Sequence, residues 1–361
     1  MVPNGWNRIA LEKIAEVRSG VAKGKKGLKA PIEVPYLRVA NVQDGHVDLT
    51  EVKTIEIEQD KLERYSLKYG DVLMNEGGDY DKLGRGDVWL GQIEPCLHQN
   101  HVFAVRPNQD IIDSFFLAAL AASNYGKTYF LSCAKRSTNL ASINSTQIKE
   151  FPVLVPPLPE QKKIAQILST WEKAITTTEQ LLAKSQQQKK ALMQQLLTGK
   201  KRLLDKNGVR FSGEWKRVEL GDLLDYQQPT PYLVESTDYS DDFSTPVLTA
   251  GKTFILGYTD EESGIFSEKL PAIIFDDFTT DSKFVDFPFK AKSSAMKILT
   301  AKEGVSIKYV YEAMQLLDFS VGGHQRHWIS IYSRLVTPFP GSEEQQKIAA
   351  VLSTADKEIS A

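Results

Sequence analysis

Two cysteines, Cys96 and Cys133, are all the thiol chemistry in 361 residues, and they show no CxxC spacing. That excludes a disulfide scaffold and a cysteine zinc site, and points to reduced thiols in a cytoplasmic protein. No apolar run approaches the roughly 18 residues that a membrane span needs. The most apolar stretch, 111–122, is short and carries Asp113. The first residues have no signal-peptide pattern. A GxxxxGK[ST] phosphate loop is missing, as are HExxH, the Asn-Pro-Pro-aromatic motif of amino-methyltransferases and a glycine-rich loop after a strand. These gaps argue against an ATP motor, a zinc hydrolase and a methyltransferase. Charge of one sign is missing too, since the net is −2. Its distribution is uneven: 160–202 carries +6 and 203–343 carries −7. The chain as a whole is no generic polyanion binder, so contact with nucleic acid would need local clusters and help from partners.

Proline and glycine are also missing from 160–198, between Pro159 and Gly199. In that window Ile164, Leu168, Trp171, Ile175, Thr178, Leu182, Ser185, Lys189, Leu192 and Leu196 alternate spacings of four and three, the repeat of a coiled-coil seam. Prolines ahead of it permit a helix start, and Gly199 supplies a stop. The spacing predicts a rod of about 58 Å at 1.5 Å per residue.

The rod's beginning returns at 344–359, identical to 160–175 at ten of sixteen positions. Ile348, Leu352 and Ile359 fall on Ile164, Leu168 and Ile175, so the chain is an internal duplication. Each copy follows a globular segment, and the two segments open alike, around Trp6 and Trp215. Short β-like runs at 36–42, 71–74 and 102–105 in the first have counterparts at 246–249, 272–275 and 295–299. Single helical stretches follow at 111–131 and 307–317, then strand-like runs into proline at 151–156 and 335–340. The fold class is α+β. The expected divisions are a domain at 1–158, a coiled-coil helix at 159–199, a linker at 200–211, a second domain at 212–342 and the start of a second long helix at 343–361. Ile164, Leu168, Trp171 and Ile175 are expected against Ile348, Leu352 and Ile359. The alternative is an antiparallel register in which the second helix reaches 182–196.

The run at 156–170, its long helix and the second copy at 344–359 resemble the central and distal conserved regions of type I restriction–modification specificity subunits. The stretches 248–259 and 273–280 are similar to one version of that family's target recognition domain. The resemblance implies a non-catalytic reader of double-stranded DNA. Two recognition domains would each read half of a bipartite, asymmetric site, and the helical regions would pack antiparallel and hold them apart. It implies two methyltransferase subunits and restriction/translocase subunits as partners, with S-adenosylmethionine, ATP and Mg2+ on those partners and no cofactor or metal on this chain. In this sequence the second helix runs only about 18 residues, against about 40 in the first.

Base reading calls for Arg, Lys, Asn, Gln or His at groove edges, and phosphate contact for cations and small donors. The candidates are Lys23, Lys25 and Lys26 in a basic loop, then Asn75, Lys82 and Arg85 after an apolar strand, then Arg136 and Asn139 after the helix. In the second domain they are Lys252, Thr279, Thr280 and Lys283, with His324, Gln325, Arg326 and His327. The plainer reading of each is a solvated loop. Asp276, Asp277, Asp281 and Lys283 could pass for a nuclease cluster, and His324 with His327 for an acid–base pair. Short matches of this kind arise by chance, and a loop is preferred. A coiled-coil scaffold that joins two binding domains without touching DNA is the competing function.

Overall fold

The computed structural model describes residues 3–360 apart from 24–26, 79–82, 85, 137–140, 252, 318 and 320–326. The chain divides into two compact units, 1–177 and 178–361.

In the first unit, strands Ala15–Ser19, Val102–Pro107 and Val72–Asn75 form an antiparallel sheet in that order. A second sheet orders Lys53–Glu58, Pro31–Leu37 and Leu97–His98, the last pair parallel. Asn7–Ala10 pairs with Pro152–Val155, and Gly77–Gly78, Ala141–Ser142 and Lys135–Arg136 make a small ladder. The core joins Leu11, Val72, Phe103, Phe116, Phe130 and Phe151. Helix α1 (Ser114–Ala122) begins at Asp113, whose carboxylate accepts from the amides of Phe115 and Phe116. The single helix expected over 111–131 is in fact two, because Ser123 is extended and its hydroxyl caps Asn124–Cys133. Gly126 lies against Ala121, where a Cβ would come 2.2 Å from the carbonyl oxygen.

The long helix α2 spans Leu158–Leu196, 39 residues, and belongs to the first unit at its start and to the second at its end. It turns out through Gly199, whose φ of +73° suits a residue without Cβ.

The second unit repeats the first. Its main sheet orders Leu224–Gln227, Met296–Ala301 and Ala272–Asp276, then adds Ser282–Val285. Its second sheet orders Ile255–Thr259, Thr245–Leu248 and Lys290–Ala291, again with a parallel last pair. Lys216–Glu219 pairs with Val336–Phe339 as Asn7–Ala10 pairs with Pro152–Val155. Helix α3 (Ile307–Met314) is capped by Ser306, and helix α4 spans Ser342–Ser360. The α+β reading and the duplication therefore extend through both domains.

The seam requires a correction. Leu168, Trp171, Ile175 and Leu182 are exposed, Trp171 at 66%. Ile164 rests on the first unit's core. Ile348 and Leu352 are buried with Met193, Leu196 and Leu197, with Leu192 at the edge of that cluster, while Ile359 is only half-buried. Lys189 pairs with Asp356, and Arg202 pairs with Glu344 at 2.6 Å. Rising numbers on one side meet falling numbers on the other, so α2 and α4 run antiparallel in the alternative register. In-phase pairing fails because antiparallel helices set the start of one against the end of the other.

Candidate nucleic-acid interface

Backbone hydrogen bonds join three of the first unit's candidate clusters along one edge. The Val21 amide donates to His98 O (2.7 Å) and the Asn100 amide to Val21 O (3.1 Å), so Lys23 lies two residues from the 98–101 turn. The Glu76 amide donates to His101 O (2.9 Å), and Ile143 donates to Glu76 O (2.7 Å). Gly77–Gly78 then carries the ladder to Ala141–Ser142 and Lys135–Arg136. Gly20 is needed there, since a Cβ would stand 2.0 Å from His98 O.

The second unit builds the same junction. The Lys292 amide donates to Leu248 O (2.9 Å) where Gln99 donates to Leu37 O (2.8 Å). The Asp277 amide donates to Ala295 O (3.5 Å) as the Glu76 amide does to His101 O, and the His327 amide donates to Asp277 O (2.9 Å) as the Ile143 amide does to Glu76 O. Two of the equivalent positions thus carry different chemistry, Gln99 against Lys292 and Ile143 against His327, while Glu76 and Asp277 are both carboxylates.

This frame places the candidates individually. Lys23 is exposed, its ammonium 5.8 Å from the Tyr36 ring centroid. Thr279 is exposed; Thr280 sits at φ +61°, and Lys283 is half-buried on a strand. Two placements are corrected. Asn75 is buried, its amide nitrogen donating to Val42 O (2.8 Å), so it braces the edge from below. His327 is 1% exposed, because it fills the position that the core residue Ile143 holds in the first unit. Among the described residues, neither of its ring nitrogens has a hydrogen-bond partner. Lys25, Lys26, Lys82, Arg85, Asn139, Lys252, His324, Gln325 and Arg326 lie outside the described residues, as does the side chain of Arg136.

The acidic residues of the 276–281 loop serve the loop. Asp276 accepts from the amides of Phe278 (2.8 Å) and Thr279 (3.2 Å), and Asp277 from Trp328 (2.9 Å). Among the described residues no three His, Cys, Asp or Glu side chains are grouped to hold a metal ion. His98, beneath the edge, hydrogen-bonds Val102 O (2.6 Å), and burial holds its pKa below the usual value. Sequence reasoning missed Gln99, Asn100, His101 and Lys292, which lie on turns between strands rather than in charged runs. The signal for the first three was the polar run 98–101 directly before the apolar strand Val102–Pro107.

A second omission is the Glu-Gln pair that opens each long helix. Gln161 is fully buried; its Oε1 accepts from the Asp113 amide (2.8 Å), and its Nε2 donates to Ile111 O (2.9 Å) and Pro156 O (2.8 Å). Gln345 accepts from Ser306 (2.9 Å) and donates to Pro340 O (2.8 Å). Each glutamine ties a long helix to the cap of the unit's short one. Glu160 accepts from Trp6 Nε1 (3.2 Å), and Glu344 from Trp215 Nε1 (3.0 Å). Identity between the two copies was the signal.

A twice-built α+β unit, each copy ending in a long helix and presenting a polar loop edge, defines a duplicated two-domain protein. Residues 3–186, just over half of the chain, match the model of the type I restriction modification DNA specificity domain, and the chain belongs to that family. It is 51% identical over 158 residues to the EcoR124I/EcoR124II specificity subunit of Escherichia coli, which covers 42% of this chain and 38% of that subunit. It is 28% identical over 385 residues to the putative MjaX specificity subunit of Methanocaldococcus jannaschii, covering 98% of this chain and 88% of that one. The fold is similar to the crystal structure of the S subunit from M. genitalium, with TM-score 0.65 at 12% identity, covering 100% of this chain and 92% of that one. No described helix is long and apolar enough to cross a membrane.

Proposed function

We propose that this chain is the sequence-reading subunit of a type I restriction–modification complex and that it reads a bipartite, asymmetric DNA site. Residues 1–158 and 212–342 would be its two target recognition domains, each reading one half. The repeated edge carries this reading: one backbone junction, built twice, presents Gln99 in one unit and Lys292 in the other, at equivalent positions. Shared scaffold with unlike side chains suits two half-sites of unlike sequence. The reading takes methylation and cleavage to be the work of partners, two methyltransferase subunits that hold S-adenosylmethionine and restriction/translocase subunits that use ATP and Mg2+. It places the complex in the cytoplasm with the DNA.

The test is methylation of a randomised duplex library by the chain with its methyltransferase, read by sequencing. Exchanging residues 212–342 for another recognition domain should change one half-site and leave the other. Gln99→Ala should relax preference in one half-site and Lys292→Ala in the other, by about 1–3 kcal/mol for each base no longer held. Binding that stays blind to sequence and disappears at moderate salt would favour the scaffold reading instead.

A further inference from the structure

The duplication gives each unit a groove between its short helix and the start of its long one. In the second unit, α3 and α4 form this groove, and the end of α2 fills it with Met193 and Leu196. One cation on that filling segment, Lys189, enters a cluster of charges. Its Nζ is 3.3 Å from a carboxylate oxygen of Glu312 and hydrogen-bonds Asp356. Lys308 is 2.8 Å from Glu312 and 3.1 Å from Asp356. Glu312 is fully buried, so the two ammonium groups stand where water would otherwise be.

The equivalent groove of the first unit, between α1 and the start of α2, carries a different set. The capping residues Asp113 and Ser306 align, which puts Phe115 at the place of Lys308 and Ala119 at the place of Glu312. Glu172 stands at the place of Asp356, on the solvent-exposed side of the helix. Phe115, Leu168 and Trp171 beside it are exposed. A lysine entering here would meet Glu172 in water, where ion pairs contribute little, and on the far wall the half-buried Asp87, with no carboxylate at the place of Glu312.

We propose that Lys189, Lys308, Glu312 and Asp356 are a pairing code. They select a helix carrying Lys189 for the groove of the second unit and leave that helix little to hold in the homologous groove of the first. Duplication produces two grooves of similar shape, and apolar contacts alone would not tell them apart. A buried carboxylate that needs a second cation does, because an apolar partner would leave it half-neutralised.

The experiment transplants the code. Phe115→Lys with Ala119→Glu, made in the full chain, rebuilds it in the first unit's groove at positions that are not buried, and circular dichroism checks the fold. A labelled synthetic peptide of residues 183–203 is titrated against this variant and against the unaltered chain. Tryptophan emission should blue-shift as the exposed Trp171 ring is covered, and loss of that shift on Trp171→Phe assigns it to the first unit among the chain's five tryptophans. The peptide should bind the variant about two- to fivefold more tightly, the gain of an ion pair at an exposed site. The same peptide with Lys189→Leu should show no such gain. Equal affinity for the two chains, equal gain by the two peptides, or no binding to the variant would each overturn the proposal.

Discussion

Replacing Gln161 by leucine tests whether the buried glutamines secure the long helix to the recognition fold. The two side chains are similar in size, so packing is largely kept, and three hydrogen bonds go. A buried group left without its partner costs ~1–3 kcal/mol. We take ~2 for the Asp113 amide, which has a single proton to give, and ~1 for each of the carbonyls of Ile111 and Pro156, which have a second lone pair. The added apolar burial of leucine returns ~1–2 kcal/mol. The first unit should therefore lose ~2–3 kcal/mol. Gln345→Leu removes two bonds rather than three, so the second unit should lose ~1 kcal/mol less. Native-state hydrogen exchange, read by mass spectrometry, separates the units. Exchange at the Asp113 amide should accelerate by about 30-fold or more, a factor of ten for each 1.4 kcal/mol. Gln161→Glu, which sets an unpaired carboxylate against the carbonyls of Ile111 and Pro156, should cost at least as much as the leucine. Unchanged exchange at Asp113, or a larger effect from Gln345→Leu than from Gln161→Leu, would refute the reasoning.

Other consequences follow from the same geometry. Burial keeps the folded-state pKa of His98 below that of an unfolded histidine, near 6.5. The stability this gives is complete above about pH 6.5 and is lost as pH falls towards the folded value. Urea midpoints of the first unit should drop between pH 7.5 and 5.5, and His98→Asn should flatten that slope; parallel slopes in the two proteins would show that His98 is not the cause. Asp356 is subject to burial, which raises a carboxyl pKa, but the hydrogen bonds from Lys189 and Lys308 outweigh it and hold the group below its usual value. Its contribution persists above about pH 4 and is lost on further acidification, so Asp356→Asn should blunt acid unfolding of the second unit in a pH titration. Gly20→Ala would force the 20–23 segment away from His98 and should blur one half-site in the library assay while leaving the other sharp. Blurring of both would place the defect elsewhere.

Much of this architecture was legible because the chain repeats itself. The 160–175 and 344–359 match fixed the long helices, and the absence of glycine and proline fixed the length of the first. Periodicity did not reveal which stretch of α2 meets α4. Leu168, Trp171 and Ile175 carry the same spacing as Leu192 and Leu196, yet only the latter are covered, because antiparallel pairing depends on where the partner starts. Among candidate readers, Lys23 and Thr279 are exposed, as their loop context suggested. Asn75 and His327 were misplaced by residue type alone: a polar side chain can brace a loop from within, and His327 occupies a core position that only alignment of the two units exposes. The 111–131 break was missed since Ser123-Asn124 reads as helix until Ser123 is recognised as a cap.

The acidic balance of 203–343 bears on how such a chain could read DNA. Several of its carboxylates are already committed. Asp276 and Asp277 accept backbone amides of their own loop and of Trp328. Glu261 is 2.6 Å from Lys290 and accepts the amides of Glu235 and Ser236; the hydrogen bond from Lys290 leads in holding its pKa below the usual value. Glu312 lies buried between Lys189 and Lys308. The remaining negative charge includes exposed Asp238, Asp241 and Asp242, on a loop distinct from the 276–280 turn. What an approaching phosphate would meet at the edge is therefore less negative than the sequence total. Lys292 is held there against Tyr239, 3.1 Å from its hydroxyl. Affinity from long-range charge would still be small, because counterion release scales with the number of phosphates neutralised. A unit of this kind suits a division of labour in which base edges are discriminated here and most backbone charge is met by a partner.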